Sequence, residues 1–198
     1  MAGGWTAMMD HMAAHAAEPL TRHRLLLAHL DYAWDRARPR MEGVTTDEYF
    51  WEPVPGCWTL RRQPDGSFLA DWAAPEPSPA PFTTIAWRLS HIGWFLNLRA
   101  NHRFGDGTLT PLTAPWPGTP EAALDWMDSG FAAYRAGVAA TDDASLDVHP
   151  DGPAGWTDTR FPFALNVQHI TLEVIHHGAE VSLLRDLYRA TRSGAALA

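Results

Sequence analysis

A single cysteine, Cys57, stands among 198 residues, which excludes an internal disulfide and a cysteine-based zinc site and fits a reducing compartment. Runs of Lys or Arg are missing too, and the formal net charge is −8. Phosphate neutralisation needs clustered cations, so neither a nucleic-acid partner nor docking on an anionic membrane surface is expected. No stretch approaches the ~18 consecutive apolar residues of a membrane span. Residues 1–17 lack a basic start followed by an apolar run, so no signal peptide is expected and the cytoplasm is the expected location. Gly-x-Ser-x-Gly, P-loop and dinucleotide fingerprints are all absent. What the chain does have is 46% hydrophobic residues, enough for one domain with a real core, together with ten tryptophans and ten histidines.

Apolar residues recur at three- and four-residue spacing in four stretches, which predicts helices over about residues 19–41, 84–103, 119–140 and 163–191. Leu20, Leu26, Leu27, Leu30, Trp34 and Ala37 form the first stripe, with Pro39 loosening its end. Ile85, Leu89, Ile92 and Leu96 form the second. Thr119-Pro120-Glu121 opens the third with a capping residue, a first-position proline and an acid in the first turn. It continues through Leu124, Met127, Phe131 and Val138. Between the first two helices, residues 45–81 carry prolines and glycines too often for a long helix, and a short hairpin around Pro64-Asp65-Gly66 is expected. The expected fold class is an all-α bundle with this long Pro-rich connection.

The last helix carries Glu173 and His177 four residues apart. Side chains at that spacing stack on one face, about 5–6 Å apart at Cβ, and can grip one ion. His169 lies one turn earlier and Glu180 about one turn later. His176 is expected to point away from His177. A metal site needs at least a third ligand from a neighbouring element. His91, alone in the apolar stretch Trp87-Arg88-Leu89-Ser90-His91-Ile92-Gly93-Trp94, is the candidate, because a buried imidazole needs partners for its ring nitrogens. The ordinary alternatives are a satisfied core histidine and a surface acid–base pair. His11, His15, His23 and His29 can be read as an N-terminal cluster or as exposed positions of the first helix and its leader. His102 and His149 are expected to be solvated, and Cys57 to be a plain small side chain.

The second-helix segment above resembles the second helix of the DinB-like superfamily of four-helix metalloproteins, whose histidine is the first ligand. Glu173-Val174-Ile175-His176-His177-Gly178-Ala179-Glu180-Val181, running on to Leu184-Arg185-Asp186-Leu187-Tyr188, resembles the last helix. Asp47-Glu48-Tyr49-Phe50-Trp51-Glu52-Pro53-Val54-Pro55-Gly56-Cys57-Trp58 resembles the segment linking helices one and two. The family commonly supplies two histidines four apart from its last helix. Here the first of these is Glu173, a variant similar to the mycothiol-dependent maleylpyruvate isomerase branch.

The resemblance implies a divalent ion, zinc first and nickel or iron next, held by His91, Glu173 and His177. His169 or Glu180 would act behind those ligands. It further implies a metal-dependent S-transferase or isomerase that activates a low-molecular-weight thiol for attack on a small-molecule electrophile. Arg88, Arg99 or Arg185 would meet an acidic group of that substrate, and the tryptophans would line its pocket or fill the core. Two other readings stand beside it: an oxygen-activating non-haem iron enzyme, which uses the same ligand types, and a non-catalytic helical binding protein stabilised by its metal. A homodimer is compatible with the Trp-rich helices.

Overall fold

The computed structural model describes residues 19–75, 77–149 and 160–192, so His11 and His15 lie outside the described residues. Four long helices dominate: α1 (Arg22–Ala37), α2 (Ile85–Phe104), α3 (Pro120–Ala139) and α4 (Phe163–Arg192). Threonine sets three of the four starts. The side chains of Thr21, Thr84 and Thr119 accept from the backbone N–H of Arg24, Trp87 and Ala122, satisfying donors that have no partner within the helix. Thr21 as the cap leaves Leu20 outside the helix and 59% exposed, so the first stripe begins later than its spacing predicts. After Ala37 the chain tightens into a 3-10 turn, Arg38–Met41, built around Pro39.

α2 packs mainly against α3, α1 against α4, and α2 also against α4. Ile85, Leu89, Ile92 and Leu96 of α2 enter one apolar cluster with Leu30 of α1, Met127 and Tyr134 of α3, and Val167, Ile170 and Val174 of α4. Each such side chain contributes about 1.5–3 kcal/mol when fully buried. The buried stripe of α4 runs Phe163, Val167, Ile170, Val174, His177, Gly178, Val181 and Arg185. Four polar side chains, Asn166, Thr171, His177 and Arg185, are buried on α4 and must find partners there.

The connection from α1 to α2 holds a helical turn, Thr46–Tyr49, and the expected hairpin. Its strands β1 (Leu60–Arg62) and β2 (Phe68–Ala70) pair antiparallel with Leu60 opposite Ala70. Gly66 takes the left-handed conformation, φ 88°, that this turn requires. Trp58 is stitched to the start of α2. Its N–H donates to the Phe82 carbonyl and its carbonyl accepts from Thr84 N–H, at 2.8 and 2.9 Å.

α1 and α4 approach closely at Gly178, where an added Cβ would lie 2.7 Å from the Cβ of Ala37. Helix propensity favours alanine over glycine by about 1 kcal/mol, whereas overpacking costs about 1–3 kcal/mol. The opposing atom is fixed to its backbone and cannot swing aside, so the clash wins. Gly178→Ala is expected to lower stability by about 1–2 kcal/mol in urea unfolding; unchanged or higher stability would show that the two helices part freely.

Candidate metal centre

α2 and α4 bring the three predicted residues together. The Nε2 atoms of His91 and His177 lie 3.1 and 3.0 Å from the same atom, Oε2 of Glu173. One ligand atom from each residue falls within 4.8 Å of the others. His91 arrives from the edge of the α2 core stripe, one residue from buried Ile92. Glu173 and His177 stack one turn apart on α4, as their spacing requires. Metal–ligand bonds of about 2.0–2.1 Å put tetrahedral ligand atoms roughly 3.3 Å apart, so the observed separations fit one small ion. Two imidazoles and a carboxylate also suit zinc, nickel or iron(II) as donors.

For His91 and Glu173 the electrostatics favour the protonation states that a ligand set needs. Burial depresses His91, opposed by its bond to Glu173, and the ring is held below the ordinary histidine range. Burial pushes the Glu173 carboxyl upward, but hydrogen bonds from His169, His177 and His91 outweigh it and hold the group far below the usual carboxylate range. His177 is the opposite case. Burial lowers it, yet its bonds to Glu173 and Glu180 leave it raised overall.

Around this triad sits a second set of contacts. His169 Nε2 lies 3.1 Å from the other oxygen of Glu173, Oε1, while 42% of its side chain remains open to solvent. Glu180 reaches His177 Nδ1 at 2.6 Å and His176 Nε2 at 3.3 Å. The rings of His176 and His177 stack with centroids 4.7 Å apart, while His176 stays outside the His91, Glu173 and His177 group with 60% of its side chain exposed. Glu180 is three residues from one histidine and four from the other, and its two oxygens gather both. Arg88 of α2 meets Glu180 at 2.9 Å and also touches His177 Nδ1 at 3.1 Å.

On the α2 side, Trp87 stacks on His91 with centroids 4.5 Å apart, and Phe95 meets the same ring edge-on at 4.8 Å. Trp87 is itself fixed by its indole N–H, which donates to the Asp71 carbonyl at 2.7 Å, and by Trp58 at 5.8 Å. The long connection therefore shapes the wall of the centre. Other tryptophans serve elsewhere: Trp34 stacks on Phe131 at 3.9 Å, and Trp94, Trp116 and Trp126 pack together.

Several candidates fall away. Arg185 is buried against Glu48 and the carbonyls of Arg40 and Glu42, so it is not available to a substrate. Arg99 is half-buried on α2. His102 is half-buried, not solvated, because its Nε2 donates to the Leu109 carbonyl and holds the loop after α2. His149 is exposed as expected. His23 bonds to the Val138 carbonyl and His29 is exposed; neither joins a ligand group among the described residues. Cys57 is buried, its thiol donating to the Val54 carbonyl. The arrangement of Trp87 and Arg88 at the centre was not legible as such, although each lies one helical turn from His91 on α2.

Among the described residues no helix is long and apolar enough to cross a membrane. No curated protein and no solved structure matches the chain. A family profile does: that of the DinB superfamily matches residues 29–181. The matched span begins within α1, ends in α4 and includes His91, Glu173 and His177. The chain belongs to the DinB superfamily.

Proposed function

We propose that this chain is a single-domain, DinB-type four-helix bundle that works as a divalent-metal-dependent thiol S-transferase or isomerase. Its metal, zinc in the first instance, would be held by His91, Glu173 and His177. The observation that carries this reading is the convergence of two imidazole nitrogens on one oxygen of Glu173. Three protein ligands leave a coordination position open, which is the arrangement of catalytic sites. When bound there, a divalent ion supplies the Lewis acidity that keeps a coordinated thiol deprotonated near neutral pH.

The protein's own groups divide the remaining work. Arg88 and Glu180 cancel each other's charge, so the ion and Glu173 leave one net positive charge, complementary to a single thiolate. Trp87 and Phe95 cover the His91 ring and limit water on that side. His169 links Glu173 to solvent and is placed to carry a proton outward through its ring.

The reading is tested by elemental analysis followed by thiol titration of the cobalt-substituted protein. About one equivalent of metal and a thiol-dependent change in the cobalt spectrum are expected. A spectrum indifferent to thiols would overturn the proposed chemistry and favour a metal-stabilised scaffold. Iron retained in place of zinc or nickel, after growth with supplemented iron, would favour an oxygen-activating enzyme instead.

A further inference from the structure

Two groups of potential ligands share His177. One is the triad with His91 and Glu173; the other joins His176, His177 and Glu180. They use opposite ring nitrogens, Nε2 toward Glu173 and Nδ1 toward Glu180. Loading both with metal would strip both protons from one imidazole, which is costly for a ring that is neutral as an ordinary ligand. The second group therefore has a different role.

At Nδ1 two neighbours compete. Glu180 Oε2 is an acceptor at 2.6 Å, and an Arg88 guanidinium nitrogen is a donor at 3.1 Å. A ring nitrogen carries either a proton or a lone pair, so only one of these bonds can form at a time. The bond to the carboxylate is the shorter and is charge-assisted. Arg88 Nε also forms an ion pair with the same Glu180 oxygen at 2.9 Å, without the alignment of a hydrogen bond, and its charge holds the carboxylate near the ring.

We infer that Glu180, clamped by Arg88, is a positioning residue that keeps the proton of His177 on Nδ1 and so presents Nε2 as the ligand atom. This inference rests on the proposed centre at His91, Glu173 and His177. It also assigns Arg88 a conditional effect. With Glu180 present, Arg88 holds the acceptor in place. Without Glu180, Arg88 donates to Nδ1 itself, and the ring proton moves to Nε2, against the metal position. His176, whose side chain is 60% exposed, stacks on the His177 ring and reaches the outer oxygen of Glu180, and neither contact is needed to hold the Nδ1 proton.

The test compares wild type, Glu180→Ala and the double variant Arg88→Met/Glu180→Ala by zinc titration, with melting of the zinc-free proteins as a folding control. Loss of an outer partner of a ligating histidine lowers metal affinity by about 10–100-fold, and Glu180→Ala is expected within that range. The double variant should bind several-fold more tightly than Glu180→Ala, because nothing then claims the Nδ1 lone pair. Wild type should bind one equivalent, not two. Nitrogen NMR of the zinc-bound protein should show the metal on Nε2 of His177 and a proton on Nδ1 in wild type.

Unchanged affinity in Glu180→Ala, a double variant no better than the single one, or a second equivalent lost with His176→Ala would each overturn the inference. So would zinc on Nδ1 of His177 in wild type. If wild type bound no zinc at all, it is the proposed centre that would fail.

Discussion

His177→Ala is expected to purify without metal where wild type carries about one equivalent. Removing an outer hydrogen-bond partner weakens a site by roughly 10–100-fold; removing one of only three protein ligands should exceed that. The effect has a structural side as well. His177 is nearly buried on the α4 stripe, among mostly apolar residues, and it separates Glu173 from Glu180. Its loss opens a cavity between the two carboxylates and removes a hydrogen-bond partner from each. His176→Ala serves as the control, since that side chain is mostly exposed and lies outside the His91, Glu173 and His177 group. Elemental analysis of both variants checks the expectation. Full occupancy in His177→Ala would rule out the ligand assignment.

A comparably large effect is expected far from the metal centre. Arg185→Met should destabilise the fold by about 3–5 kcal/mol, the usual consequence of removing one partner from a buried ion pair. Arg185 and Glu48 are each only 4% exposed at their side chains. The guanidinium donates to Glu48 Oε1 at 2.7 Å and to the carbonyls of Arg40 and Glu42 at 2.6 and 2.7 Å. One residue of α4 thus fastens the 3-10 turn after α1 and the Thr46–Tyr49 turn. Without it, Glu48 stays buried as an uncompensated charge and two carbonyls lose their donor. For a chain of this size each kcal/mol corresponds to about 2–4 °C in Tm, so the variant should melt roughly 6–20 °C lower. Glu48→Gln/Arg185→Met should recover much of the loss, because burying no charge is cheaper than burying half a pair. A single variant within about 1 kcal/mol of wild type in urea unfolding would contradict the role given to Arg185.

That pair shows what local pattern misses. Glu48 and Arg185 lie 137 residues apart in sequence. Spacing on either helix gives no sign that one answers the other, and Arg185 read alone is an anion-binding candidate. The same blindness applies to Arg88 and Glu180, which meet across α2 and α4. His176 shows the same limit. Ideal helical angles separate it from His177, but a flexible carboxylate one turn on can reach both rings.

Sequence by itself determined the four long helices, because apolar periodicity and threonine caps act within one or two turns of chain. It determined the hairpin through Pro64-Asp65-Gly66, and it placed Glu173 and His177 on one face by helical geometry alone. Only the tertiary structure brought His91 to the same carboxylate oxygen, since that depends on how α2 packs against α4. It alone decided which charged residues hold the fold and which surround the centre. Helical spacing is a property of neighbours in the chain, whereas the partner of a buried charge is fixed by the packing of elements that are distant in it.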